Sequence, residues 1–393
     1  MIDITTVLTL AIALLASAVM AWVIGAGSSG ATPFAPAVGA NAISVLRAAL
    51  LVGVLGLLGA ALQGGNVSEA VGTGLIQGVS LPAFGVILAL TVGAGLMLVG
   101  IFTGYPIATA FTVTGAIVGV GLALGGEPAW AKYQQIVALW ILTPPLGGGV
   151  AYALASVLPR EDVPEDVSVP LLGGLVGAVV ANVKFTILAP PGEASSIAAT
   201  IAGSVPASPT LARAGVTLGL AVLVAALVRR DVQRDQRAAL NRFLLVLGGL
   251  VAFSAGGSQV GLAVGPLVPL LDDYAVPLAA VLVGGGLGIL VGSWTGAPRM
   301  IKALAQDYAS LGPRRSISAL VPSFAVAQVA ILLGVPVSFN EIVVSAIVGS
   351  GLAVSGTGGT SAAKLSRTVL AWVASLVVSL ALGYGVTTLL GPA

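Results

Sequence analysis

The sequence predicts an all-α polytopic membrane protein with about 10–12 transmembrane segments. It predicts two inverted-topology repeats containing broken helices and hairpins. Three observations carry this. First, 16 Lys and Arg with 14 Asp and Glu make the 393-residue chain only 8% charged, against roughly 25% in a soluble domain. With 57% apolar residues and a mean hydropathy of +1.09, it has too little polar surface to face water. Second, no charge occurs across Ile4–Leu46, Ala70–Gly126 or Phe243–Leu271, and one span takes ~20 residues. Third, GYPIATAFTVTGAIVGVGLA at 104–123 returns as GVPVSFNEIVVSAIVGSGLA at 334–353, with 10 of 20 positions identical. The matches include Gly104/Gly334, Pro106/Pro336 and Ala116–Gly119/Ala346–Gly349.

The elements follow in order. Ile4–Ile24 is a span, and the N-terminus lacks the basic stretch of a cleaved leader. Gly25–Gly39 is broken by Gly and Pro. At an offset of 230, AGSSGATPFAP (26–36) falls on GGSQVGLAVGP (256–266). Ala42–Gly64 is a span holding an isolated Arg47, read as structural. Leu81–Thr103 is a span, and Pro106–Leu124 a short hairpin arm with proline in its first turn. Gln134–Leu158 spans with a break at Pro144-Pro145. Val167–Leu188 and Ala212–Val228 span ahead of an Arg-rich loop. The second half repeats the scheme with Phe243–Ser254, a broken Ala255–Leu271, Ala275–Gly292, Ile317–Leu333, the arm Pro336–Val354 and Leu365–Leu390. The organisation is residues 1–158 as first repeat, 159–242 as connecting helices with the Arg-rich loop, and 243–393 as second repeat.

Charge placement gives the inversion. Residues 229–242 hold five Arg and read as cytoplasmic. Their counterpart at the N-terminus has no Lys or Arg, and Arg299, Lys302, Arg314 and Arg315 likewise lack basic counterparts at 69–85. The N-terminus is thus expected outside and the protein in the plasma membrane. Lys132 does not fit this pattern.

Two kinds of segment could carry chemistry. Exposed N–H groups at helix starts favour anions, and hydroxyls add uncharged donors. Ser28, Ser29 and Thr32 in the first broken segment, with Ser258 and Gln259 in the second, offer such donors. The proline arms add Thr109 and Thr112, then Ser338 and Asn340. Glu341 stands alone between uncharged runs of 25 and 22 residues. An intramembrane carboxylate is costly and is read as functional; here it is the candidate for a coupling ion, Na⁺ or H⁺. Asp272-Asp273 are read as lying at a membrane face, with a cation-entry role as the alternative.

At these segments the chain resembles the inorganic phosphate transporter (PiT) family, with its repeated GANDVANA-type motif and repeated G-x-P-[IV]-S-T-T-H segment. The second copy of the first motif reads GGSQVGLAVGPL from Gly256, and the arms read GYPIATAF from Gly104 and GVPVSFNE from Gly334. The family's Asn-Asp pair falls on Ser258-Gln259 and about Ser28-Ser29, so its Asp is lost in both copies. Its Ser-Thr-Thr-His becomes Ala108-Thr109-Ala110-Phe111 and Ser338-Phe339-Asn340-Glu341. The resemblance implies a secondary transporter of inorganic phosphate, driven by cation symport through alternating access. Another oxyanion such as sulfate is the alternative substrate.

Other classes are disfavoured. The chain has no Cys and no His, which excludes disulfides and Cys/His metal sites. No metal site and no cofactor beyond the coupling ion is expected. A formal charge of +2 gives no nucleic-acid footprint. Ser258 in G-G-S-Q loosely resembles an intramembrane protease nucleophile, but no His is present as base, so no enzyme is expected. The expected partners are phosphate and the lipid bilayer, and the sequence is compatible with a homo-oligomer.

Overall fold

The computed structural model describes residues 4–160, 162–190, 193–206, 208–271, 274–355 and 362–390. Asp272 and Asp273 lie outside them. Ten of its helices are long and apolar enough to cross a membrane, and shorter apolar helices lie at Thr109–Ala123 and Phe339–Ala353. The chain is a multi-pass membrane protein.

The first seven helices are α1 (Ile4–Gly27), α2 (Ala35–Gly39), α3 (Val45–Gln63), α4 (Gly65–Thr73), α5 (Ala83–Thr103), α6 (Thr109–Ala123) and α7 (Trp130–Val157). Three more, α8 (Glu165–Asn182), α9 (Ile197–Ala202) and α10 (Pro209–Arg234), lead to the second set. That set is α11 (Gln236–Val264), α12 (Val268–Leu271), α13 (Leu278–Thr295), α14 (Ala297–Gln306), α15 (Pro313–Leu332), α16 (Phe339–Ser355) and α17 (Ala362–Leu390). Among the described residues, strand is confined to two short antiparallel pairings, Ile76–Gln77 with Glu127–Pro128 and Lys184–Phe185 with Ser195–Ser196.

Each of α1–α7 has a counterpart in α11–α17. Ala83 and Thr109, which open α5 and α6, fall 230 residues before Pro313 and Phe339, which open α15 and α16. The counterparts run oppositely. Ser17 on α1 donates to the Ala263 carbonyl at 2.9 Å and Ser28, just past its end, to the Gln259 Oε1 at 3.1 Å. Further along, Phe34 lies against Gly248. Positions therefore fall along α11 as they rise along α1, which is the relation of an inverted repeat.

The two sets are interleaved. Helix α6 packs on α17, and α16 packs on α7. Two indoles seal the exchange: Trp372 donates to the Pro106 carbonyl at 2.7 Å, and Trp140 to the Pro336 carbonyl at 2.9 Å. The repeated Gly of the A-I-V-G block permits the contact. A Cβ on Gly119 would sit 2.2 Å from the Leu380 carbonyl oxygen, and one on Gly349 would sit 2.0 Å from that of Gly148.

The local structure departs from the sequence expectation in four places. The arm helices begin at Thr109 and Phe339, so Pro106 and Pro336 are not in their first turns. Gly104 and Gly334 turn the chain at φ +74° and +58°. The prolines that follow are held outside the helices by the indole bonds to their carbonyls. The second break is also shorter than expected: α11 runs on to Val264, and only Gly265–Leu267 is 3-10. Pro33, which stops the first copy, is replaced at 263 by Ala, so the helix continues to Pro266. Pro144 and Pro145 lie inside an unbroken α7, where α16 packs alongside and supports the freed backbone. Finally, the Arg-rich loop is helical on both sides of Asp235. The Asp235 carboxylate accepts from the Ala238 N–H at 3.1 Å. Arg242 grips Asp231 with two bonds, at 2.6 and 2.8 Å, a geometry that fixes both side chains.

Outside the spans, Tyr308 follows α14 and ties it to α17. Its hydroxyl lies 2.8 Å from the Thr368 Oγ1. Burial pushes the phenol up to about 12, so it stays neutral in the physiological range. Lys364 stands 5.0 Å from its ring centre and pairs with Asp307.

Candidate functional site

The site assembles from four chain segments. Helix α1 stops at Gly27 because Gly30 and Pro33 cannot prolong it. Its last backbone bond runs from the Ser28 N–H to the Ile24 carbonyl. Beyond it lie Ser28, Ser29 and Thr32. The second segment is the middle of α11, with Ser258 and Gln259 inside the helix. The third and fourth are the arms, each an extended stretch after a left-handed glycine, followed by a helix start. Thr109 and Thr112 occupy the first turn of α6; Asn340 and Glu341 occupy that of α16, with Ser338 just before it. All ten of these side chains are at most 1% exposed.

Three side chains join the segments. Ser28 donates to the Gln259 Oε1, and the Gln259 Nε2 donates to the Val337 carbonyl at 2.6 Å. The Asn340 Nδ2 donates to the Ile107 carbonyl at 2.7 Å and to that of Gly27 at 3.1 Å. Ile107 and Val337 are counterparts 230 residues apart, so an amide from the second set secures the tip of each arm. These bonds bring together the residue runs 27–29, 107–109, 258–259 and 337–340.

The remaining polar atoms divide into two groups. Ser29, Thr32 and Thr112 donate to the carbonyls of Ile24, Ser28 and Ala108, within their own turns. By contrast, Thr109 Oγ1, Ser258 Oγ, Ser338 Oγ, Asn340 Oδ1 and Glu341 Oε2 are buried with no protein partner. An unpaired buried polar atom costs ~1–3 kcal/mol, and such atoms are few in folded chains. Four of them, all but Glu341, belong to the residue runs that the Ser28, Gln259 and Asn340 bonds bring together. Three are hydroxyls able to donate. Asn340 Oδ1 is an acceptor, its orientation fixed by the two carbonyls that hold the amide nitrogen.

Helix ends supply the positive potential. Two starts converge, each equivalent to roughly half a positive charge, and the α6 N-cap, Ala108, provides no side-chain acceptor for the first-turn N–H groups. Hydroxyl donors and helix dipoles together suit a compact oxyanion.

Glu341 lies apart from the hydroxyls. It lines a cavity of about 760 Å³ between α7, α16 and α17, walled by Phe111, Trp140 and Trp372. Phe111 is its counterpart in the first arm and stacks on Trp140 at 3.9 Å between ring centres. Arg47 is exposed in the first turn of α3, outside the junction.

Sequence reasoning missed two features. One is a second repeated motif, A-K-x7-W at 131–140 and 363–372, offset by 232. Its tryptophans lock the arms, and Lys132 donates to the Gly334 carbonyl at 2.9 Å. This position at an arm tip explains a lysine that loop charges did not. Comparing the repeats beyond the arms would have found it. The other is the buried trio Gln63, Ser254 and Gln328, signalled by glutamines within apolar runs.

Known proteins agree with this architecture. The profile of the Phosphate transporter family matches residues 24–383. A protein described as a phosphate permease of Pyrococcus furiosus is 30% identical over 88% of this chain and 87% of its own. The chloroplastic inorganic phosphate transporter 2-1 of Arabidopsis thaliana is 24% identical over 91% of this chain and 68% of its own. A solved structure titled as the sodium-dependent phosphate transporter superposes with a TM-score of 0.79 at 24% identity, covering 97% of this chain and 99% of that one; it shows the same fold. With the match spanning both arms and both hydroxyl-bearing segments, the chain belongs to the phosphate transporter family.

Proposed function

We propose that the chain carries inorganic phosphate across the plasma membrane by cation-coupled symport, its two repeats exchanging access to the hydroxyl junction. The carrying observation is the set of unpartnered buried atoms Thr109 Oγ1, Ser258 Oγ, Ser338 Oγ and Asn340 Oδ1, in segments that meet at two helix starts. Hydrogen phosphate presents oxygens to donors and one P–OH to an acceptor. Sulfate at neutral pH has no proton for Asn340 Oδ1, so the acceptor favours phosphate. Ser28 and Gln259 act as struts, and Ser29, Thr32 and Thr112 shape the surrounding turns.

The test is radiolabelled phosphate uptake into proteoliposomes under an imposed Na⁺ or pH gradient, with sulfate as competitor. Saturable uptake is expected, with little inhibition by sulfate. Ser258→Ala and Thr109→Ala are each expected to raise the apparent KM about tenfold, the loss of one charge-assisted hydrogen bond of ~1.5 kcal/mol. Normal uptake in both variants would reject the site.

Glu341 is the group we assign to the coupling cation, Na⁺ or H⁺. It is the carboxylate beside the arm start, and the solved neighbour's title names sodium. Glu341→Gln keeps the shape and removes the charge. Phosphate–phosphate exchange is expected to persist while accumulation against a gradient is lost. Gradient-driven accumulation at the unmodified level would remove Glu341 from the coupling step.

A further inference from the structure

A second cavity, of about 350 Å³, opens where the ends of α3, α8 and α15 meet the start of α4. Its polar lining is Gln63, Asn66, Asn182, Lys184, Thr217 and Gln328. These supply amides, one hydroxyl and one cation, and no lining residue is acidic. The cavity lies at the end of the bundle away from the Arg-rich corner. Helix α8 leaves that corner at Glu165, held by Arg314 and Gln236, and reaches the cavity at Asn182 after ~27 Å of helix.

A line of polar groups runs inward from it. The Gln63 Nε2 donates to the Lys184 carbonyl at 3.0 Å and to the Gln328 Oε1 at 3.3 Å. The Gln328 Nε2 donates to the Ser254 Oγ at 2.7 Å. Ser254 is one turn before Ser258 on the same face of α11, and the Ser258 hydroxyl is unpartnered. The bond between the two glutamines, 3.3–3.4 Å in either direction, is beyond the usual range for N–H···O. A ligand can displace it at little cost. At the rim, the Asn66 carbonyl lies 3.2 Å from where a Cβ on Gly334 would stand, so the cavity borders the tip of the second arm.

The repeat symmetry makes this line one-sided. The counterparts of Gln63, Ser254 and Gln328 are Ser293, Ile24 and Leu98. An inverted repeat places those counterparts toward the other face, where apolar Ile24 and Leu98 stand in place of Ser254 and Gln328. Buried amides in an apolar bundle are costly unless hydrogen-bonded, and the bonded Gln63–Gln328–Ser254 line has no equivalent at the counterpart positions.

We propose that this cavity is the access vestibule for a tetrahedral oxyanion, with Lys184 drawing the anion to its mouth and Gln63 and Gln328 passing it toward Ser258. The identity of the anion rests on the phosphate reading above. A cation at the mouth of a low-dielectric cleft raises the local anion concentration, while neutral amides beyond it bind weakly enough to release.

The natural absence of cysteine gives a clean test. Asn182→Cys and Gln328→Cys each carry a single thiol. In proteoliposomes, a membrane-impermeant thiol reagent is expected to modify both from the same face only, with phosphate slowing the reaction at Gln328→Cys. Lys184→Ala is expected to raise the KM for phosphate about three- to tenfold with Vmax retained, and the effect should shrink at high salt. Lys184→Arg should restore the unmodified KM, which a merely structural lysine would not require. An unreactive Gln328→Cys, or an unchanged KM in Lys184→Ala, would overturn the vestibule. If the unmodified protein takes up no phosphate while sulfate slows one-sided labelling, the phosphate reading fails and the vestibule stands.

Discussion

Asn340→Leu is expected to reduce phosphate uptake by at least tenfold. The amide nitrogen is the shared donor of two buried carbonyls, Ile107 at 2.7 Å and Gly27 at 3.1 Å. Removing it leaves both unpaired, at ~1–3 kcal/mol each. It also separates the first arm from the end of α1, where three of the four segments meet. Asn340→Asp should be worse. Aspartate keeps the shape but turns the donor into an acceptor facing two carbonyl oxygens, and adds a negative charge beside an anion. Binding of phosphate to purified protein and uptake in proteoliposomes both report the result. Uptake of Asn340→Leu within twofold of the unmodified protein would show that the arm needs no such clasp.

Gly349→Ala is expected to lower the thermal unfolding midpoint in detergent by several degrees and to reduce the yield of folded protein. The added carbon would stand 2.0 Å from the Gly148 carbonyl oxygen. A backbone atom inside α7 cannot rotate away, so α16 must shift outward. Overpacking of this kind costs at least ~1–3 kcal/mol. Gly119→Ala should behave alike, because its new carbon would meet the Leu380 carbonyl at 2.2 Å. Gly147→Ala is the control on the same helix pair, since its nearest neighbour would be 3.9 Å away, an ordinary contact. Equal midpoints for Gly349→Ala and Gly147→Ala would rule out tight arm packing as the reason for the repeated glycine.

Much of the fold was legible because membrane spans are written in composition. A long uncharged run has few structural options in lipid. The repeat was legible because backbone needs are specific: Gly104 and Gly334 both carry positive φ, and Gly119 and Gly349 both lie against a carbonyl. The candidate residues were proposed for a related reason, as hydroxyls and amides stand out in apolar runs. Their roles were not legible. Thr109 and Thr112 read alike in sequence, yet one hydroxyl is unpartnered while the other bonds its own helix. That difference depends on which face of α6 meets the junction, and tertiary packing decides it. Helix ends were misplaced at prolines, since a proline is tolerated inside α7 and stands outside α6 according to its neighbours. The Arg-rich loop was misread because charge marks a membrane exit and says little about whether the helix ends there.

The interleaving of the two sets bears on how the protein is made. Helix α6 finds its packing partner in α17, some 240 residues later in the chain. Until α17 is inserted, the close-packing face of the first arm has no mate, and the Pro106 carbonyl waits for Trp372. The first arm must therefore be parked in the bilayer, or shielded by the insertion machinery, until α17 follows. Each half completes its packing with a helix of the other, and a message broken before α17 yields a chain whose first hairpin has never closed.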